Sequence, residues 1–306
     1  MTGIAEEGLR FVFAGTSIVS DWGNPAATTN RAVMTALIEL GHEATFLEPR
    51  HDASLIGLLK ARGSEPVRAF LAAYPKLQYR TVDLPATFQA SSWAGQFLAT
   101  ASASVALIGC PEVVADGFQQ FEEAGVRYFQ EETDSGRSML KHGLEGRNVT
   151  SYQPAVLPRE WNQPRHGSLL VAYDDAELAR QIAEVVQPDT RIVSGKAELP
   201  DWEWVPEVDL PERYGRAARV VIVDGNDEIA PVRVWLPRAN GATAWGVASG
   251  EATADLGDVV VALDAIGAID WNVPTPLVEH VDARIVAARL VTETQDQDVI
   301  SMNGKH

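Results

Sequence analysis

Short apolar runs alternate with amphipathic segments along most of the chain, and this alternation predicts parallel strands joined by helices. In the first half, the apolar runs at residues 9–15 and 44–47 are typical of buried strands. Between them, apolar side chains recur at helical spacing up to Leu40, and Gly41 is a helix stop. The other strands predicted in this half lie at residues 79–84, 105–109 and 127–130.

The second half repeats the alternation after a proline-rich stretch at residues 146–167, which we interpret as a linker or a crossover strand. Its best-defined unit begins with a β-branched run at residues 219–223 that leads into a polar turn. Pro231 then opens a predicted helix that ends at Gly241, and a further apolar run follows at residues 243–248. The remaining strands of this half are predicted at residues 168–172, 191–194, 202–208, 259–263 and 286–290.

The predicted fold class is therefore α/β, with two Rossmann-like domains built on parallel sheets. The chain has 306 residues, and we divide it into domains at 1–150 and 151–294, with a polar, disordered tail at 295–306. A single doubly wound sheet of the flavodoxin-like kind is the alternative. Because ligands lie outside the carboxyl ends of parallel strands, we expect the loops at residues 16–24 and 224–233 to line a cleft.

Charge and composition narrow the class of partner. The chain carries 42 acidic and 25 basic residues, a net charge of −17, which disfavours nucleic acid and anionic membranes. No window approaches the length of a membrane span, and the N-terminal residues have no leader-like pattern, so we expect a cytoplasmic protein. The single cysteine, Cys110, excludes an intramolecular disulfide and a cysteine-based zinc site. We expect no bound metal; a homodimer is left open.

The motifs of several enzyme classes do not occur. No G-x-G-x-x-G, P-loop or G-x-S-x-G pattern is found, which counts against nicotinamide, flavin and serine-hydrolase chemistry. We therefore expect no cofactor, and a small-molecule substrate is the remaining class of ligand.

The helix after Pro231 carries a family resemblance. Pro231, Arg233 and Trp235, followed by a small-residue turn at residues 239–241, resemble a run in the CgeB-like (spore maturation protein) glycosyltransferases, a branch of the two-domain GT-B enzymes. Looser similarities lie at residues 41–49, 128–134 and 280–284. The resemblance implies a nucleotide-sugar donor held by the second domain. The family's donor-binding glutamate falls on Leu236, which cannot accept a hydrogen bond, so weak donor binding and slow or absent turnover are expected.

Transfer of a sugar from a nucleotide needs groups that hold the diphosphate and a group that activates the acceptor. The candidate donor-binding residues are Lys196, Asn226 and Arg233, each near a predicted strand end or helix start. Asp21, in the first loop, is the first candidate base, and His280 is the second. The other residues expected to line the cleft loop are Ser17, Trp22 and Asn24. An active glycosyltransferase and a degenerate GT-B protein that binds a ligand or partner without turnover both remain open.

Overall fold

The computed structural model describes residues 8–15, 17–20, 22, 25–82, 105–108, 128–131, 149–152, 154–224, 231–248, 260–262 and 281–303. Within these residues the chain forms two six-stranded sheets, and every strand pair in them is parallel.

The first sheet has the strand order β3-β2-β1-β4-β5-β6. Its strands are β1 (Arg10–Ala14), β2 (Glu43–Pro49), β3 (Gln78–Val82), β4 (Val105–Ile108), β5 (Tyr128–Glu131) and β6 (Val149–Tyr152). The described helices of this part are α1 (Ala26–Glu39), α2 (Ala53–Arg62) and α3 (Glu65–Ala73).

The second sheet has the order β12-β11-β10-β7-β8-β9, which is the same order when its strands are counted from β7. Its strands are β7 (Ser168–Ala172), β8 (Thr190–Val193), β9 (Glu203–Trp204), β10 (Arg219–Val223), β11 (Thr243–Ala248) and β12 (Val260–Ala262). The helices are α4 (Ala176–Val186), α5 (Leu210–Arg216), α6 (Pro231–Ala239) and α7 (Ala283–Asn303), with a 3₁₀ turn at Glu207–Asp209. Both orders are that of the Rossmann fold, which confirms the predicted fold class.

Local sequence explains where several helices begin and end. The Asp52 carboxylate accepts a hydrogen bond from the Leu55 N–H at 2.9 Å and caps α2. Asp175 caps α4 in the same way, through the Leu178 N–H at 2.8 Å. Helix α1 stops at Gly41, whose φ of +89° is a left-handed conformation that glycine adopts without strain.

The C-terminal segment differs from the sequence prediction. Residues 286–290 lie in α7 rather than in a strand, and the same helix continues to Asn303, where a disordered tail is predicted. Five buried side chains of α7 recur at helical spacing: Ala283, Val286, Ala287, Leu290 and Thr294. The apolar run is thus one face of a helix, because its period is near 3.6 residues rather than 2.

The stretch between the two sheets contains an ordered strand. Each residue of β6 pairs with β5, so the first sheet extends to Tyr152, across the predicted boundary between residues 150 and 151. The second sheet's β9 is shorter than the strand predicted at residues 202–208. Pro206, which lacks an N–H to continue a strand, follows closely, and the 3₁₀ turn begins at Glu207.

Helix α7 returns to the first part of the molecule and packs on α1. Val286 and Leu290 share a buried apolar cluster with Val33 and Leu37 of α1. Separate apolar clusters cover the two faces of the second sheet, one containing Tyr214 and the other containing Ile182. The late chain therefore ties the two halves together.

Candidate active site between the two domains

The carboxyl edges of the two sheets face each other. Val19 and Leu58 of the first domain line one small cavity together with Ser194, Trp204 and Glu207 of the second. The Arg62 guanidinium also lies over the Trp204 ring, 4.9 Å from its centroid. Because ligands of parallel sheets bind outside these edges, the cleft between the domains is the candidate site.

The first-domain edge is organised by the loop that follows β1. Residues 17–20 are buried, and the Ser17 Oγ accepts hydrogen bonds from the N–H groups of Val19 (3.2 Å) and Ser20 (3.0 Å). The Ser17 hydroxyl donates to Glu48 Oε2 at 3.2 Å, and the Ile18 N–H donates to the same oxygen at 3.1 Å. The predicted cleft residue Ser17 therefore shapes the loop from inside rather than facing solvent.

Glu48, at the end of β2, is the carboxyl group that this loop encloses. It is fully buried, and its Oε1 has no hydrogen-bond partner among the described residues. Burial raises the pKa of Glu48, and the nearby Asp52 adds to the rise, while the bonds from Ile18 and Ser17 oppose it. Burial and the charge of Glu48 likewise raise the pKa of Tyr79. Sequence reasoning did not select Glu48, since a carboxylate at the end of an apolar strand gives no local sign of burial.

Of the other residues predicted for this loop, Trp22 is described. Its ring lies against α2, since a methyl group added at Gly57 would meet the indole at 3.7 Å. The Trp22 N–H donates to the Ser20 Oγ at 3.4 Å. Asp21 and Asn24 lie outside the described residues, so their predicted roles stay predictions.

The second-domain edge carries a buried ion pair. The Arg233 guanidinium of α6 donates to the Asp224 carboxylate at the end of β10, and both side chains are almost fully buried. The guanidinium also lies 3.9 Å from the centroid of the Tyr173 ring, which follows β7. Burial opposes the charge on Arg233, but Asp224, Tyr173 and Glu207 outweigh it and raise the pKa of Arg233. Arg233 is therefore a cation with an internal partner, and a phosphate would have to compete with Asp224 for it.

Lys196 lies at the same edge and is exposed. Its backbone N–H donates to Asp174 Oδ1 at 3.2 Å, which fixes the turn after β8 beside the turn after β7. Gly195 permits this close approach, because a Cβ at residue 195 would lie 2.2 Å from the Tyr173 carbonyl oxygen. The turn that carries Lys196 thus lies against the Tyr173 backbone, while Arg233 lies over the Tyr173 ring. Asn226 lies outside the described residues, as does His280, although its neighbour Val281 is buried.

Leu236 lies inside α6 and is buried. Helix α6 begins at Pro231, so Leu236 is its sixth residue and lies in the second turn rather than at the N-terminus. Its side chain is 7% exposed and belongs to an apolar cluster with Val232 and Tyr214. Leu236 also lines a small cavity with Arg31 and Glu207, so a carboxylate at residue 236 would be buried beside these charged groups.

Sequence reasoning also missed a polar contact between the domains. The Thr28 hydroxyl of α1 donates to Glu207 Oε1 at 2.6 Å, and the Arg31 guanidinium lies 3.9 Å from Glu207 Oε2. Thr28 and Glu207 are 179 residues apart in the chain, and no local pattern marks them.

Two searches for other kinds of site gave no candidate in the described part of the chain. No group of three or more His, Cys, Asp and Glu side chains there is arranged to hold a metal ion. No described helix combines the length and the apolar character that crossing a bilayer requires.

Comparison with known proteins gives matches at the level of fold. A scan against protein-family models finds no match, and a search of curated proteins finds no significant one. Among solved structures, Anabaena HepE in complex with UDP and glucose aligns with a TM-score of 0.52 at 8% identity, over 97% of this chain and 100% of that one. The S. aureus MnaA–UDP structure aligns with a TM-score of 0.52 at 9% identity, over 92% and 95% of the two chains. The UDP-GlcNAc 2-epimerase of Methanocaldococcus jannaschii gives 0.50 at 8% identity, over 94% and 99%.

These alignments span nearly the whole of both chains, and at such low identity they establish the fold alone. Together with the two Rossmann sheets that face each other across a cleft, they show that the chain has the two-domain GT-B fold.

Proposed function

We propose that the protein is a glycosyltransferase of the CgeB-like branch, which binds a nucleotide sugar between its two domains and transfers the sugar to an acceptor. The observation that carries the proposal is the facing pair of carboxyl edges, since a ligand held by one Rossmann domain there is presented to the other. Two solved structures of the same fold are described as complexes with UDP, so uridine nucleotides are the first ligands to test.

In this proposal, Lys196 supplies the cation for the diphosphate. It is exposed at the end of β8, beside the turn that holds Asp174. A charge-assisted hydrogen bond from an ammonium group to phosphate contributes roughly 1.5–3 kcal/mol. Asn226 and Arg233 are the remaining donor-side candidates. Arg233 contacts the diphosphate directly only if the ligand displaces the Asp224 carboxylate, and otherwise acts on the ligand through Asp224.

On the acceptor side, Asp21 is the proposed base and His280 the second candidate. Ser17, Trp22 and Asn24 belong to the same loop, which Glu48 anchors from behind. The nucleotide sugar is the substrate, and the proposed reaction uses neither a further cofactor nor a metal. A cytoplasmic location belongs to the same proposal.

A second candidate is a protein that binds the ligand without transferring a sugar. Two observations favour it: the Arg233 guanidinium is engaged by Asp224, and the residue in place of the family's glutamate is a core leucine. On this view a bare nucleoside diphosphate binds about as well as its sugar conjugate, because no carboxylate at residue 236 distinguishes the sugar.

A thermal-shift panel of nucleotides and nucleotide sugars tests both candidates, followed by an assay of nucleoside diphosphate release. The transferase predicts stabilisation by a nucleotide sugar together with release of the diphosphate in the presence of an acceptor or water. The binding protein predicts stabilisation without release. Lys196→Ala should abolish most of the shift, while Lys60→Ala, an exposed lysine on α2, is the matched control. A shift from none of the nucleotides would overturn both.

A further inference from the structure

We propose that Glu207 is a clasp that holds the two domains closed, and that a ligand enters the cleft only when this contact opens. The inference deepens the proposed function, on which its ligand-entry part rests. Glu207 begins the 3₁₀ turn after β9 in the second domain, whereas its described hydrogen-bonding partner lies on α1 of the first.

The contact joins three buried groups. Thr28 donates to Glu207 Oε1 at 2.6 Å, Arg31 Nη2 donates to Thr28 Oγ1 at 3.2 Å, and Arg31 Nη2 lies 3.9 Å from Glu207 Oε2. The side chains of Arg31 and Glu207 are 2% and 1% exposed. The attraction between charges so far from water is strong, and separating the domains would break it together with the hydrogen bond from Thr28.

The position of these groups on α1 favours a carboxylate. Thr28 and Arg31 lie in the first two turns of the helix, which begins at Ala26 and has no acidic residue of its own in the first turn. The positive end of the helix dipole therefore faces a negative group supplied by the other domain.

The clasp is continuous with both edges of the candidate site. On the first-domain side, Arg31 Nη1 donates to the Ile18 carbonyl at 3.0 Å, and the Ile18 N–H is held by Glu48. On the second-domain side, the charge of Glu207 acts on both Tyr173 and Arg233. A change at Glu207 should therefore affect both the loop after β1 and the buried ion pair of Asp224 and Arg233.

The space around the clasp is too small for a nucleotide. The two cavities lined by Glu207 hold about 20 and 10 Å³. That is room for about one water molecule each, whereas pockets for small molecules typically hold roughly 300–1,000 Å³. A nucleotide sugar does not fit into either cavity, so binding beside Glu207 requires the domains to separate, and the buried contact at Glu207 opposes that separation.

Small-angle X-ray scattering on the ligand-free protein tests the clasp without reference to any ligand. Thr28→Val removes the hydroxyl that Glu207 accepts from while leaving Glu207, Tyr173 and Arg233 in place. We expect the radius of gyration of Thr28→Val to exceed that of the wild type, and Thr28→Ser, which keeps the hydroxyl, to match the wild type. Equal values for all three proteins, or expansion in Thr28→Ser as well, would overturn the clasp.

Stopped-flow binding of UDP tests ligand entry. In Thr28→Val, the charge-assisted hydrogen bond to Glu207 no longer has to break before UDP enters. Association should therefore be about tenfold to a hundredfold faster than in the wild type. If UDP binds both proteins and associates with Thr28→Val no faster than with the wild type, Glu207 does not control ligand entry. If UDP binds neither protein while the scattering difference is present, the clasp stands and the proposed function fails. Circular dichroism confirms that each variant is folded, and Glu207→Gln supplies a second variant should Thr28→Val be unstable.

Discussion

The two sheets have the same strand order, but the buried carboxyl groups at the edges that face the cleft have different partners. In the first domain, a neutral hydrogen-bonded loop encloses one buried carboxyl group, Glu48, which has no cation as a described partner. In the second domain, the buried carboxylate Asp224 is paired with Arg233, which also stacks on Tyr173. The fold determines where the buried polar groups meet. The partner of each carboxyl group determines whether it is held rigidly in an ion pair or can change its protonation state.

This difference predicts distinct responses to mutation and pH. The second edge holds a pair of opposite charges, so removal of one partner leaves an uncompensated charge in the interior. The first edge holds one carboxyl group whose protonation adjusts to its surroundings, so its response appears in the pH dependence of stability.

The largest effect is expected for Arg233→Met, which leaves Asp224 buried without its partner. Loss of one member of a buried pair costs about 3–5 kcal/mol, so the free energy of unfolding in urea should fall by that amount. Adding Asp224→Asn should recover most of the loss. The control Arg216→Met breaks a pair with Glu212 in which both side chains are 57% exposed, and about 0–1 kcal/mol is expected. Equal losses for Arg233→Met and Arg216→Met would contradict the contrast.

Glycines at the two edges give a smaller effect. In Gly195→Ala, the added methyl group would lie 2.2 Å from the Tyr173 carbonyl oxygen, so the backbone must shift. A loss of about 1–3 kcal/mol is expected in the free energy of unfolding. In Gly15→Ala, at the first edge, the nearest atom is the tip of the Phe46 side chain at 3.0 Å, so a much smaller shift is needed than at Gly195. A greater loss for Gly15→Ala than for Gly195→Ala would show that the second edge is the more adaptable one.

The third prediction concerns the pH dependence produced by Glu48. Because burial raises its folded-state pKa above the ordinary value of 4.5, the folded protein binds this proton more tightly than the unfolded chain does. The stabilisation is complete below that ordinary value and is lost as the pH rises through the raised folded-state pKa. Glu48→Gln cannot ionise, so its free energy of unfolding should fall less over this range than that of the wild type.

Urea denaturation at a series of pH values measures this slope. Glu43 lies on the same strand but is exposed, so Glu43→Gln measures how the removal of a surface carboxyl group changes the pH dependence of stability. Identical pH profiles for Glu48→Gln and the wild type would mean that Glu48 does not titrate differently in the folded state.

Much of the fold follows from the sequence. The strands β1, β7 and β10 are continuous apolar runs, and such runs predict buried parallel strands wherever they occur. The strand predicted at residues 286–290 is wrong because the apolar residues of this short run fit the period of a strand as well as that of a helix. The strand β6 is hidden because the residues around it include several prolines, which usually mark loops.

The candidate site is less predictable. The rule about carboxyl edges led to Ser17, Lys196 and Arg233, whose roles in a site stay predictions. It cannot say that Arg233 is engaged by Asp224, nine residues before it in the chain, or that the Tyr173 ring, which follows another strand, lies against the guanidinium. The contact of Thr28 with Glu207 depends on how two domains meet, and no local sequence pattern contains that information.

The most direct test of the central claim is calorimetric titration of the wild type and of Lys196→Ala with UDP, UDP-glucose and UDP-N-acetylglucosamine. We predict one saturable site in the wild type, which binds UDP and both of its sugar conjugates. We also predict an affinity about tenfold or more weaker in Lys196→Ala, since one charge-assisted contact is lost. Lys196→Ala should unfold at the same urea concentration as the wild type, because Lys196 is exposed. Absence of binding by all three ligands to a folded wild-type protein would contradict the claim that the cleft is a nucleotide-sugar site.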